Sequence, residues 1–103
     1  SLTLMSPDPV KRLSGAEAVF KSRDLNALSA VETALAAEKD GKLKRAFEQA
    51  RAAIILSDKS QEEIKRLTAI DVIKARGDQD AVGLLVSAAN LSEGRCAFDH
   101  YCQ

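Results

Sequence analysis

Aromatic residues are scarce: Phe20, Phe47, Phe98 and Tyr101 are the whole complement, and tryptophan is absent. A core without large rings must be built from Ala, Leu, Ile and Val, and small side chains let helices approach closely. Neither sign of charge is in excess, with 15 Lys and Arg against 15 Asp and Glu. A neutral chain sets up no long-range field for nucleic acid or a membrane surface, which argues against both as partners. Long apolar runs are also missing. The longest stretch free of charge, Ala81 to Ser92, has twelve residues, whereas a bilayer span needs about twenty. Nor does the start read as a signal peptide, because Ser1-Leu-Thr-Leu-Met5 runs at once into Ser6-Pro-Asp-Pro9. A chain that begins at Ser1 reads as a piece of a longer protein, with any targeting segment outside it.

What is present is an internal repeat. Residues 10–28 and 64–82, 54 positions apart, match at Lys11/Lys65, Arg12/Arg66, Leu13/Leu67, Asp24/Asp78 and Ala27/Ala81. Other positions exchange like for like: Ser14 with Thr68, Gly15 with Ala69, Glu17 with Asp71, Val19 with Ile73. A repeat that keeps apolar spacing, charge and a turn residue points to stacked helical hairpins. A third copy of the helix start, Leu43-Lys44-Arg45-Ala46, lies between the two. An irregular solenoid follows, with the helix that would pair with the middle unit missing or reduced.

The spacing predicts five helices. The first is capped by Ser6 or Asp8, carries Val10, Leu13, Ala16 and Phe20 on one side and ends near Ser22. Asp24 caps the second, with Leu28, Val31 and Leu35 as its stripe. Asp40-Gly41 opens the third, where Leu43, Phe47, Ala50 and Ile54 recur at helical steps beside Ala46 and Ala53. The run Ile54-Ile55-Leu56 widens its apolar face, as expected for a helix held between neighbours, and Ser57-Asp58-Lys59 breaks it. Ser60-Gln-Glu-Glu63 reads as a capping box for the fourth helix, which would bury Ile64, Leu67, Ile70 and Ile73. Gly77 suits a left-handed helix end. Asp78 then caps the fifth, with Val82, Leu85, Ala88 and Ala89 inward. No segment alternates with period two, so no sheet is expected. The domain is read as residues 1–91, followed by an irregular tail over 92–103.

Candidates for chemistry are few. Cys96, His100 and Cys102 form Cys-x3-His-x-Cys, but three ligands crowded on one short segment do not match the paired spacing of a structural zinc site. A fourth ligand would have to come from Asp99 or elsewhere, and a polar tail with incidental thiols is preferred to a metal site; a disulfide between the two cysteines in an oxidising compartment is a further reading, since two cysteines alone do not fix the compartment. A terminal thiol is also a poor nucleophile without a rigidly held base. Asp78/Asp80 and Glu62/Glu63 sit at helix starts, where capping and dipole roles account for them. Gly77 and Gly83 lack the preceding strand and following Gly-Lys-Ser/Thr of a phosphate loop. Residues 41–60 carry Lys42, Lys44, Arg45, Arg51 and Lys59 against Glu48 and Asp58, a solvated flank in preference to a phosphate-binding face. The Lys-Arg pairs at 11–12, 44–45 and 65–66 read as helix formers whose stems cover apolar neighbours, in preference to a basic ladder for a ligand. The sequence therefore assigns no catalytic, cofactor-binding or metal residue and no enzyme activity.

The opening Asp8-Pro-Val-Lys-Arg-Leu13 with short Ala-rich helix pairs resembles the HEAT-type repeat family. Three stretches carry a closer resemblance: Leu4-Met-Ser-Pro-Asp-Pro-Val-Lys-Arg-Leu13, Ala37-Glu-Lys-Asp-Gly-Lys-Leu-Lys-Arg-Ala46, and Lys74-Ala-Arg-Gly-Asp-Gln-Asp-Ala-Val-Gly-Leu-Leu85. In order and spacing, over about residues 2–90, they are similar to the soluble N-terminal region of bacterial urea ABC transporter permeases of the branched-chain amino acid type. The resemblance implies a periplasmic, non-catalytic accessory domain of a urea or short-chain amide importer, attached to a parent protein that spans the inner membrane. Its partners would be transporter subunits or the substrate-binding protein, with ATP hydrolysis and substrate capture belonging to other subunits. The segment from Ser92 departs from that pattern. Exposed Leu84, Leu91 or Ile55 would favour homo-oligomers. The alternative is a free-standing cytoplasmic helical-repeat adaptor that binds a protein or peptide.

Overall fold

Asp8 starts the first helix: its carboxylate accepts the Val10 N–H at 2.9 Å, and Pro9 takes the first helical position. Proline there loses no needed hydrogen bond, because the first-turn N–H groups have no carbonyl partner in the helix. The computed structural model describes residues 2–98, with side chains described for residues 3–89. Helix α1 spans Pro9–Ser22, α2 Leu28–Ala37, α3 Gly41–Ser57, α4 Glu63–Arg76 and α5 Gln79–Phe98. Short 3₁₀ turns at Leu2–Met5 and Leu25–Ala27 precede α1 and α2. The fold is all-α, and no strand occurs among the described residues.

The 54-residue offset is kept by the ends of α1 and α4, whereas α5 (Gln79–Phe98) neither starts nor ends where α2 displaced by 54 would. The bounds of α4 are those of α1 displaced by the same 54 residues, and the left-handed residues that stop them, Arg23 (φ 54°) and Gly77 (φ 69°), obey the same offset. Asp24 and Asp78 follow directly, accepting the Asn26 N–H and the Ala81 N–H respectively, each at 2.9 Å. Asp24 thereby caps the Leu25–Ala27 turn and not, as expected, α2, which begins without a side-chain cap. Asp40 caps α3 through the N–H groups of Lys42 and Leu43.

Helix α3 lies at the centre, against both α1 and α2 on one side and α4 on the other. Its residues divide between two cores. Ala46, Phe47, Ala50 and Ile54 join Leu4, Ala16, Val19, Val31 and Ala34. Ala52, Ala53, Ile55 and Leu56 join Phe20, Ala69, Ile73, Ala81, Leu84 and Ala88. That division is why Ile54-Ile55-Leu56 can be apolar all round. The helices α1 and α2 make little direct backbone contact; they meet through side chains in the first core. The Leu2–Met5 turn covers their outer side, where Gly15 lies so close that an added Cβ would meet Thr3 Oγ1 and come within 3.2 Å of Leu4. Ala69 occupies the equivalent position against α3.

Four further expectations need correction. In α4 the buried residues are Ala69 and Ile73, while Ile64 is 70% and Leu67 56% exposed; α3 contacts one edge of a wide apolar stripe and leaves the other open. In α5, Ala81, Leu84 and Ala88 point inward, and Val82 and Ala89 outward. The Ser60–Glu63 capping box does not form. Asp58 takes both the backbone N–H of Ser60 (2.9 Å) and its hydroxyl (2.7 Å), leaving α4 to begin without a side-chain cap. Helix α5 also runs past Ser92, so residues 92–98 of the expected irregular tail are helical.

The two left-handed caps generate opposite predictions. Arg23→Gly removes a Cβ clash and is expected to stabilise the chain by about 1 kcal/mol, whereas Gly77→Ala costs about the same. Urea unfolding midpoints would check both, and a matching sign for the two variants would contradict the cap assignment.

Candidate functional site

The Lys-Arg pairs separate once folded. Lys11, Lys44, Arg45 and Lys65 are solvated, as are most charges of the 41–60 segment. Arg12 and Arg66 instead turn inward, and both bond main-chain carbonyls. Arg12 Nη1 donates to Ser6 O at 2.8 Å and Pro7 O at 3.1 Å, and Arg66 Nη2 donates to Leu56 O at 3.1 Å. Each ties its helix to the segment before it. The structure thus gives the conserved register of these two arginines a packing role.

Arg12 also pairs with Glu38, whose side chain is 5% exposed, at 2.9 Å. Burial works against ionising Glu38, but the Arg12 guanidinium and the Asp40 N–H (3.2 Å) outweigh it and hold its carboxyl below the usual carboxylate range. Asp58 and Asp78 are held low in the same sense, first by the hydroxyl of Ser60 and by Arg76 respectively.

Arg76 is the most connected cation among the described side chains, and nothing in the sequence marked it out. It donates to Glu17 of α1 at 2.6 Å, to Gln49 of α3 at 3.3 Å and to Asp78 at 2.7 Å. Its guanidinium carbon sits 3.8 Å from the centroid of the Phe20 ring. Burial opposes the charge, but Glu17 and Asp78 more than restore it and raise its pKa further. A cation so fully occupied cannot take up an anion without losing the bonds that tie the end of α4 to α1 and α3. Its partners lie 59 and 27 positions away in the chain, which is why spacing gave no signal.

No cluster of three or more metal-ligating side chains occurs among the described residues. Cys96, Asp99, His100 and Cys102 lie outside the residues whose side chains are described, so the metal and disulfide readings are left there. No helix among the described residues is long and apolar enough to cross a membrane.

What remains is surface. Between α4 and α5 runs a groove of about 350 Å³ lined by Leu67, Ile70, Lys74, Leu85, Ala88 and Arg66, among others. Val82 and Val86 of α5 are also more than half exposed. Leu84 and Ile55, expected at the surface, are 2% and 7% exposed and belong to the core; Leu91 lies beyond the described side chains. Comparison of the offset copies with one another is the signal that would have located the open residues.

No protein-family profile, curated protein or solved structure matches this chain.

Two predictions follow from the charge contacts. Arg76→Gln is expected to cost about 2 kcal/mol of stability, from the loss of charge-assisted hydrogen bonds and the ring contact; chemical denaturation with unchanged helical circular dichroism would show it. The lowered carboxyl pKa values set the acid response. Stability is present in full above the unfolded carboxylate range of about 4 and is lost as pH falls through the lower folded values. Glu38→Gln should be less stable at pH 7 and lose less on acidification, and an unchanged acid slope would disprove the role given to Glu38.

Proposed function

We propose that this chain is a non-catalytic helical-repeat domain that makes protein–protein contacts, HEAT-like in arrangement. The observation that carries the reading is the pair of helix units around α3, in which Arg12 and Glu38 are consumed by internal bonds and Arg66 is tied to Leu56 O, while apolar side chains stay open on α4 and α5. Ligand chemistry needs convergent polar groups with unused bonding capacity. Here the open surface is mostly apolar, with Lys74 and one N–H of Arg66 at its edge rather than a convergent polar cluster, which suits a protein partner.

Within that reading we assign the domain to the extracytoplasmic face of a urea or short-chain amide ABC permease, where it would contact the substrate-binding protein or another permease subunit. This assignment rests on the three stretches at 4–13, 37–46 and 74–85 and on the absence of any spanning helix among the described residues. The parent protein, not this domain, would be held in the membrane.

Protease protection in cells carrying the parent gene tests the assignment. In spheroplasts, added protease is expected to digest the domain while a cytoplasmic marker survives, and the undigested domain is expected to sediment with membranes. A domain that is protected and freely soluble would overturn the transporter assignment and favour the cytoplasmic adaptor.

A further inference from the structure

The internal repeat identifies what the open groove is shaped to hold. Leu67, Ile70, Leu85 and Ala89 line it. The residues 54 positions earlier are Leu13, Ala16, Val31 and Leu35. In the first unit those four belong to, or pack against, the cluster containing Ala46, Phe47, Ala50 and Ile54 of α3. The face that α3 fills on α1 and α2 is therefore repeated on α4 and α5, where Ile70 and Leu85 reach the second core at their inner edge but the groove beyond Leu56 has no occupant among the described residues. Burial follows the difference position by position: Ala16 and Val31 are fully buried where Ile70 and Leu85 are half-buried, and Leu13 and Leu35 are half-buried where Leu67 and Ala89 are exposed.

The second copy also differs in charge. Lys74 stands where the first unit has Phe20, and it lines the groove with Arg66 and Glu63. The Nε of Arg66 has no hydrogen-bond partner among the described residues, while that of Arg12 bonds Glu38. A guanidinium N–H left unpaired away from water is costly, so an acceptor brought by an occupant would be favoured there. We propose that the α4–α5 groove docks an amphipathic helix of a partner protein, with small and large apolar side chains at the spacing of α3 and carboxylates directed at Lys74 and Arg66. A second copy of this chain could not offer its own α3, which is already buried between two cores. The inference rests on reading the chain as a contact domain but not on its assignment to a transporter.

The probe is a fluorescent synthetic peptide with the sequence of residues 41–57 in which Lys42, Lys44, Arg45 and Arg51 are replaced by Glu, titrated with the whole chain by anisotropy. Saturable one-to-one binding is expected. Leu67→Asp should weaken it at least tenfold, and Val10→Asp, a 74% exposed site on α1, should leave it unchanged. Lys74→Glu should weaken the acidic peptide and strengthen the unmodified basic one. Circular dichroism and melting of each variant confirm that the fold persists. No binding at millimolar peptide, or equal binding by the Leu67→Asp protein, overturns the proposal. So does sedimentation that finds a peptide-free dimer abolished by Leu67→Asp, since the groove would then be occupied by a second copy. Spheroplast protection and peptide binding can fail independently, which separates the two readings.

Discussion

Everything in this fold depends on α3 being buried from both sides. A helix usually hides one stripe and solvates the other, but α3 gives Phe47, Ala50 and Ile54 to one core and Ala53, Ile55 and Leu56 to the next. With almost no aromatic bulk available, close approach at alanines replaces filling by large rings. Loss of packing at α3 would therefore separate the two units rather than loosen one.

Polar ties reinforce the same axis. Arg12 and Arg66 each reach back to carbonyls of the segment before their helix, and Arg76 crosses from the end of α4 to α1 and α3. Partly buried guanidinium groups in such positions need several acceptors to offset desolvation. The chain supplies most of them from the main chain, from Glu17, Glu38 and Gln49, and leaves the Nε of Arg66 open at the α4–α5 groove. Their occupation is what turns a sequence with regularly placed Lys-Arg pairs away from anion binding and toward scaffold building.

The two units diverge where their neighbours differ. Gly15 admits the Leu2–Met5 turn, while Ala69 suffices against α3. Phe20 carries the ring beneath Arg76, while Lys74 lies at an open groove. Arg23 and Gly77 make the same left-handed stop with unequal backbone cost. Each departure from the repeat thus marks a change in what packs alongside.

Helix number, the Asp8, Asp40 and Asp78 caps and the left-handed stop at Gly77 were legible in the sequence, because each depends on residues within a few positions of one another; Asp24 instead caps the Leu25–Ala27 turn that leads into α2. The inward set of α3 was legible too, since a helix buried on two sides leaves little freedom in assigning its faces. Ile64, Leu67 and Val82 were misplaced because a wide apolar stripe does not state which edge a neighbour will take. Ser60 was misassigned because its hydroxyl turns back to donate to Asp58 and α4 begins only at Glu63, with Glu62 at the N-cap position. By itself the sequence determined the helices and their register, which are local hydrogen-bond and spacing problems. Only the tertiary structure decided that Arg76 joins three helices and that the repeated apolar face is filled on α1 and α2 but open on α4 and α5, because both depend on contacts between residues far apart in the chain.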